Sequence, residues 1–320
     1  MEASMKSSKR VFLSFIGVLC GGSLFCLPCS AQHPIEVQRL SAQADHVRAM
    51  MAFSELPERK VTTAATVAMG NSAWALGLND RAAQAFDRAL RDPALGAETR
   101  ARLFFSRGLI EFQNDNFQIA GHFAERSVSE LSVPSPLRAQ ILALWGESLM
   151  KQGDFGSACT KLKQASEEGG DAQLPDVYFR LGSCQRHLGA LDDARESFER
   201  VPLQHEKAAS AIRALATIAL DLKRFPQAEF WLAKGKELFP QEFLDGWVDY
   251  AKMIALTEQS REQDVKELLG RAAERYPESD GWFQLLRARA ELFLWKSARS
   301  ERALSRGEPA TSESPKGASL

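Results

Sequence analysis

The side chains that could carry chemistry are spread along this 320-residue chain and form no catalytic motif. Acidic pairs such as Glu167-Glu168 and Asp192-Asp193 fall on expected helices, where carboxylates usually cap helix ends or face solvent. The chain has no nucleophile elbow, phosphate-binding loop or dinucleotide fingerprint. No histidine has a spacing to another ligand that is typical of a metal site, and the five are His33, His46, His122, His187 and His205. We therefore expect no intrinsic catalysis, no metal and no cofactor.

The segment 1–31 has the composition of a secretory signal peptide. A basic stretch ending at Arg10 precedes an apolar run over residues 11–27, and small residues at 29–31 offer a cleavage site before Gln32. The alternative is an uncleaved anchor formed by residues 11–27, which is at the short limit for crossing a bilayer. Both interpretations predict that the body of the protein is exported, to the periplasm of a bacterial cell.

One helix-turn-helix pattern recurs along the remainder of the chain. Its two clearest copies lie within residues 135–200, where Gly146 of the first copy matches Gly182 of the second. In each first helix, apolar and small residues recur at i, i+3, i+4 and i+7, which indicates one buried face. The period set by these two glycines is typical of stacked helical repeats, because a single repeat cannot bury its own apolar face.

Two series of small residues extend the pattern, and both advance along the chain in the same four steps. The first-helix series is Gly70, Gly108, Gly146, Gly182 and Ala216, and the second-helix series is Ala82, Ala120, Ala158, Ala194 and Ala228. We predict that these residues let the two helices of each repeat approach closely. Gly153 and Gly189 are expected to end the first helix in a left-handed conformation, with Asp154 or Asp192 capping the next helix.

The pattern resembles that of the tetratricopeptide repeat family, in Leu181-Gly182, the turn residue Gly189, and Ala194 followed by Phe198. The resemblance implies an all-α fold, a right-handed α-solenoid of about six repeats with a C-terminal capping helix. The expected organisation is a signal peptide at 1–31, an N-terminal helix or cap at 32–60, a repeat domain at 61–304 and a disordered tail at 305–320.

The segments at the two ends of the repeat domain are each predicted to form a single helix. Residues His33–Leu56 are expected to form one lead helix, which either caps the stack or pairs with another protein. Residues 280–304 are expected to form one long capping helix.

Two cysteines, Cys159 and Cys184, remain after the predicted signal peptide is removed. They fall in the second helix of one repeat and the first helix of the next, which neighbour each other in a stack. A disulfide between them could add on the order of 3 kcal/mol. The alternative is two buried thiols without a bridge.

In the family that the chain resembles, the first helices line a concave groove. Residues that lie one position round each first helix from its buried stripe should face this groove. These candidate groove residues are Trp74, Arg102, Phe105, Phe112, Glu147, Lys151, Asp176, Phe179, Arg186, His187, Arg213, Trp247 and Tyr250. Aromatic and arginine side chains are typical of interface centres. The alternative for each residue is that it packs against a neighbouring helix. The groove lacks the clustered Lys and Arg that grip a peptide C-terminal carboxylate.

A formal charge of −1 argues against nucleic acid as the partner. We expect an exported, periplasmic scaffold that binds a protein or peptide in a cell-envelope assembly and meets the membrane only if the N-terminal segment stays uncleaved. Two alternatives stay open. One is a structural subunit that oligomerises end to end or through the lead helix, and the other is an auxiliary module of a cell-wall or polysaccharide enzyme complex.

Overall fold

Helices joined in pairs by short turns make up the computed structural model, which describes residues 33–169 and 175–305. These residues form 15 α-helices and one 3-10 turn, and they contain no β-strand. The chain divides after residue 174 into an N-terminal unit and a C-terminal unit. The predicted signal peptide at 1–31 and the tail beyond residue 305 lie outside the described residues.

The N-terminal unit contains eight of these helices. They are α1 (Pro34–Ala42), α2 (His46–Ser54), α3 (Thr63–Ala75), α4 (Asn79–Ala89), α5 (Ala97–Gln113), α6 (Phe117–Ser129), α7 (Pro136–Lys151) and α8 (Phe155–Gly169), with the 3-10 turn at Glu58–Lys60. Helix α3 packs mainly on α4, α5 on α6 and α7 on α8, as expected for successive repeats.

The C-terminal unit contains the other seven. They are α9 (Pro175–His187), α10 (Leu191–Glu199), α11 (Ala208–Asp221), α12 (Phe225–Leu238), α13 (Gly246–Glu258), α14 (Glu262–Arg275) and α15 (Gly281–Ser305). Helix α9 packs on α10 and α11 on α12, while α15 packs on both α13 and α14.

One left-handed residue marks the turn of each described pair. Gly153 (φ 83°) and Gly189 (φ 76°) have this conformation, which confirms the prediction for both. The equivalent residues of the other pairs are Ala44, Gly77, Asp115, Lys223 and Ser260. From Gly77 to Lys223 these residues advance along the chain in the same four steps as the two small-residue series. The turns are therefore a third marker of the repeat register.

These turns also satisfy carbonyl groups at the ends of the first helices. After the left-handed Gly153, the N–H of Asp154 donates to the carbonyl of Leu149 at 3.0 Å, and each of the other six turns has the equivalent bond. This geometry is the Schellman motif, which ends a helix and reverses the chain at little cost.

The small residues of the first helices allow the second helix of each pair to approach closely, as predicted. A Cβ atom on Gly146 would lie 2.6 Å from Leu162 Cγ. Two other glycines meet a ring at the same sequence offset, Gly70 with Phe86 at 2.7 Å and Gly182 with Phe198 at 3.0 Å. The five alanines of the second-helix series are completely buried. Larger side chains at either series would force the paired helices apart.

The expected caps of the second helices have different outcomes. Asp154 accepts a hydrogen bond from the backbone N–H of Ser157 at 3.1 Å, which confirms the cap and lowers the pKa of Asp154. This stabilisation is present above the unfolded-state pKa and is lost as the pH falls through the lowered one. Asp192 makes no cap and instead pairs with Arg224 at 3.0 Å, because its helix begins after Ala190.

The N-terminal segment is two helices, so the prediction of one helix over His33–Leu56 was wrong. Ala44 has a φ of 59°, which stops α1, and Asp45 accepts a hydrogen bond from the N–H of Arg48 at the start of α2. The prediction failed because alanine rarely adopts a left-handed conformation, and its type gives no sign of a turn.

The break changes which residues of this segment are buried. Val47 and Met51 continue the helical spacing of the buried Val37 and Leu40, yet they are 57% and 58% exposed, whereas Ala49 is completely buried. Ala49 lies about one repeat length before Ala82 and shortly after the left-handed Ala44, so it extends the second-helix series by one member. Helices α1 and α2 are therefore one more pair, and they pack against α3.

The C-terminal segment is one long helix, as predicted. Asp280 caps α15 by accepting a hydrogen bond from the N–H of Phe283 at 3.0 Å. Phe283, Leu286 and Ala290 form its buried face against α13 and α14. Within the part of the chain that the structure describes, no helix is long and apolar enough to span a membrane.

We predict that Gly146→Ala destabilises the protein by about 1–2 kcal/mol, because overpacking against Leu162 outweighs the better helix propensity of alanine. The measurement is urea unfolding followed by circular dichroism. The matched control is Gly270→Ala in α14, where a Cβ atom would meet nothing within 4 Å. That variant should gain about 0.5–1 kcal/mol. Equal gains from both substitutions would contradict the proposed role of the small residues.

Candidate functional site

A cavity of about 420 Å³ opens on the C-terminal unit between first helices of successive pairs. We call it the aromatic pocket. Four of its lining residues belong to the candidate groove set from the sequence, namely Phe179, Arg186, Arg213 and Trp247. Its volume is within the range of sites that hold small ligands or single side chains of a partner.

The repeat register explains why side chains from different helices meet in this pocket. Phe179 in α9 and Arg213 in α11 both lie one turn before the small residue of their own first helix, Gly182 and Ala216. Residues at equivalent positions of successive repeats point to the same side. The pocket is therefore a consequence of the repeat geometry.

Arg213 is half-buried, and its contacts give it a structural role. Its guanidinium pairs with Asp245 at 2.9 Å and donates to the backbone carbonyl of Glu242. It also lies 4.9 Å from the ring centres of Phe243 and Trp247. Since Asp245 neutralises its charge and two rings pack against it, Arg213 fixes α11 to the residues that begin α13.

Arg186 has none of the ion-pair, hydrogen-bond or ring contacts to described residues that hold Arg213. It is exposed at the pocket wall, and within residues 33–169 and 175–305 nothing forms an ion pair or hydrogen bond with it. Asp245, which also lines the pocket, is already paired with Arg213. Among the described residues that line the pocket, the uncompensated charge is therefore positive and belongs to Arg186.

Aromatic rings supply the apolar part of the wall. Phe179 is half-buried and meets Phe198 edge to face, with ring centres 5.6 Å apart. Trp247 is half-buried and Trp282 is 40% exposed, and both line the same cavity. Such rings can receive an apolar side chain from a ligand.

The sequence reasoning missed two of the aromatic lining residues, Phe198 and Trp282. Phe198 is part of the repeat pattern, and Trp282 lies in the segment predicted to be the capping helix. A signal for Trp282 was present, because it follows Trp247 by one repeat length. No comparable signal marked Phe198.

Three other candidates of the C-terminal unit lie outside the pocket lining. Asp176 pairs with His205 at 3.3 Å and with Arg180 at 3.6 Å. Tyr250 packs near Trp282, with ring centres 6.0 Å apart. The remaining candidate, His187, is exposed at the end of α9.

The six candidates of the N-terminal unit line neither this pocket nor the second cavity described below. Among the aromatic candidates, Trp74 donates to Gln113 at 3.3 Å, Phe112 meets Phe117 edge to face at 5.2 Å, and Phe105 is half-buried. Among the charged ones, Arg102 pairs with Glu98 of its own helix at 2.7 Å, Lys151 lies 5.9 Å from the Phe117 ring, and Glu147 is half-buried. Most of these contacts join neighbouring helices.

A second cavity, of about 370 Å³, lies in the N-terminal unit beside α2, α3 and α4. Its wall includes Met50, Phe53, Met69, Arg81 and Arg88. None of the candidate groove residues lines it. Among the residues that the structure describes, no three His, Cys, Asp or Glu side chains are grouped so that they could hold a metal ion.

Comparison with known families identifies the repeats. Residues 67–130 and residues 149–215 each match a family model described as tetratricopeptide repeat. The chain is a tetratricopeptide repeat protein. The prediction of an all-α tetratricopeptide fold is thereby confirmed, and the fold is that of a protein-interaction module.

Solved structures of other tetratricopeptide repeat proteins are similar to this one. PilF of Pseudomonas aeruginosa is 12% identical with a TM-score of 0.50, over 66% of this chain and 94% of PilF. YrrB, whose structure is described as having an unusual peptide-binding site, is 18% identical with a TM-score of 0.48, over 67% of this chain and 97% of YrrB. MamA is 17% identical with a TM-score of 0.48, over 54% of this chain and 96% of MamA. At 12% identity the likeness to PilF shows the fold alone. No curated protein sequence matches this tetratricopeptide repeat protein.

The disulfide suggested by the sequence concerns Cys159 in α8 and Cys184 in α9. These helices belong to different units of this tetratricopeptide repeat protein. The bond stays a prediction.

Replacement of the two pocket arginines should have different effects on the free energy of unfolding. We predict that Arg213→Ala lowers the free energy of unfolding by about 1–2 kcal/mol, because it removes an ion pair, a hydrogen bond and two ring contacts. Arg186→Ala is the matched control and should leave the urea midpoint unchanged. An equal loss for the two variants would mean that Arg186 also has a structural role.

Proposed function

We propose that this tetratricopeptide repeat protein is an exported scaffold that holds an extended segment of a partner protein in the aromatic pocket. The observation that carries the proposal is the guanidinium of Arg186, which no described residue pairs, beside the rings of Phe179 and Trp247. An apolar surface next to one available charge is the composition of a recognition site for a peptide side chain and its neighbour.

The chemistry of the pocket specifies the segment further. Arg186 favours a carboxylate, since an ionised acceptor gives the strongest hydrogen bonds to a guanidinium. The rings of Phe179, Phe198 and Trp247 favour a large aliphatic or aromatic side chain. The partner segment should therefore carry an acidic residue within a few positions of a large apolar one.

Most other polar groups of the pocket are already engaged. The hydroxyl of Ser183 donates to the carbonyl of Phe179 at 2.8 Å, and that of Thr217 donates to the carbonyl of Arg213 at 2.9 Å. Neither hydroxyl donates its proton to the ligand without losing this bond. The pocket should therefore discriminate through Arg186 and the rings rather than through a network of hydrogen bonds.

The proposed role is binding without catalysis. Among the described residues that line the aromatic pocket there is no His, Cys, Lys or Glu, and Asp245 is paired with Arg213. A nucleophile with an adjacent general base, which covalent catalysis needs, is thus missing from this lining. A polysaccharide ligand is the weaker alternative, because Arg213 already covers one face of Trp247 on which a sugar would stack.

Export to the periplasm, and a place in an assembly of the cell envelope, are part of the proposal. Their support comes from the sequence, in which basic residues precede the apolar run at 11–27 and small residues precede Gln32. An exported scaffold would meet its partners among other exported or membrane-bound proteins.

The binding proposal can be tested by selection from a displayed library of random linear peptides. We expect the enriched peptides to combine an acidic residue with a nearby large apolar one. Fluorescence polarisation should then show that Arg186→Ala weakens binding of a selected peptide roughly tenfold or more, because a charged hydrogen bond is lost. Phe179→Ala should weaken it as well.

The matched control is Arg102→Ala, because Arg102 is an exposed arginine on a first helix of the N-terminal unit. It should bind the selected peptide as the unchanged protein does. Selection of basic peptides, or full binding by the Arg186→Ala variant, would count against the proposed site. Binding of a cell-wall glycan instead of any peptide would favour the polysaccharide alternative.

Export can be tested by cell fractionation and intact-mass measurement in a bacterial host. We expect the protein in the periplasmic fraction, with a mass that corresponds to a chain beginning at Gln32. Retention of the full-length chain in the cytoplasm would contradict export, whereas a full-length chain in the inner membrane would support the uncleaved anchor.

A further inference from the structure

The C-terminal helix α15 has a second apolar stripe on the side opposite its buried face. The buried face consists of Phe283, Leu286 and Ala290. The outer stripe consists of Leu285, Ala288, Leu292 and Trp295, at successive spacings of three, four and three positions. On a helix, these spacings place the stripe directly opposite the buried face.

The outer stripe is open. Leu285, Leu292 and Trp295 are 52%, 53% and 54% exposed, and Ala288 is exposed. The terminal helix of a repeat stack normally presents a polar outer face. The segment 306–320 is too polar to cover the stripe, since Leu320 is its one large apolar residue.

We propose that the outer stripe binds the same stripe of a second copy of this chain, with the two α15 helices antiparallel and related by a two-fold axis near residue 290. In this register Leu285 lies opposite Trp295 of the second copy, and Ala288 lies opposite Leu292. Each layer pairs a smaller side chain with a larger one, as close packing of helices requires. A parallel pair would place Ala288 against Ala288 and leave a gap.

Charges on one flank of the stripe complement this arrangement. Arg287 pairs with Glu291 of the same helix at 2.7 Å, and both residues are exposed. The two-fold axis brings each Arg287 beside Glu291 of the second copy. Two separate ion pairs thereby become a network of four alternating charges.

The charges on the other flank of the outer stripe are compatible with the antiparallel pairing. Arg289 approaches Arg289 of the second copy there, but its charge is already matched by Glu258 at 2.7 Å, and it also donates to Thr257 at 2.9 Å.

Two single helices bury less surface than the roughly 1,200 Å² of ordinary stable interfaces. We therefore expect a dimer that dissociates at micromolar concentration. The proposal is independent of the aromatic pocket, so it can fail while the peptide-binding proposal stands.

Sedimentation equilibrium of the mature full chain tests the pairing. We expect a reversible dimer for the unchanged protein, and a dissociation constant raised at least about tenfold by Leu292→Glu, which places a charge in the centre of the contact. The matched control is Leu203→Glu, because Leu203 is 42% exposed in the same unit but lies away from α15. It should leave the dimer unchanged, and far-ultraviolet circular dichroism should confirm that both variants fold.

A charge reversal tests the antiparallel register. Arg287→Glu should weaken the dimer several-fold, and adding Glu291→Arg should restore it, because the alternating network is then rebuilt with opposite signs. A monomer at every concentration, a Leu292→Glu variant as dimeric as the control, or a double variant as weak as Arg287→Glu would each overturn the proposal.

Discussion

The close approach of two helices at small residues is the contact on which each described pair depends. Gly146 leaves no room for a Cβ atom beside Leu162, and the five alanines of the second-helix series are completely buried. Because this contact recurs in step with a left-handed turn, each pair is built in the same way. Uniform pairs are what allow side chains from successive first helices to reach one surface.

That uniformity produces the aromatic pocket, but it does not decide the role of each residue there. Phe179 and Arg213 occupy equivalent positions in successive repeats, yet one is a half-buried ring and the other is a clamp held by Asp245. Arg186, two turns further along α9, is left without an ion pair by the described residues around it. Recognition therefore depends on which charges the structure has already neutralised.

The two faces of α15 show how the repeat pattern ends. Its inner face completes the core of α13 and α14, as a terminal helix must. Its outer face keeps the apolar character of an internal helix, with Leu292 and Trp295 more than half exposed. Each repeat of a stack can pack against a further repeat. The side chains on the outer face of the last helix therefore determine whether another surface packs there.

The sequence by itself determined the helical pairs, their period and the turns at Gly153 and Gly189. These features depend on local backbone conformation and on side-chain size at fixed spacing, which residue types reveal directly. It did not reveal the break at Ala44, because alanine is not a residue type that signals a left-handed turn. Only the tertiary structure decided that Arg213 is a clamp, whereas the described residues leave the charge of Arg186 available. The partners of Arg213 belong to the next repeat, and a separation of that length along the chain says nothing about which side chains meet.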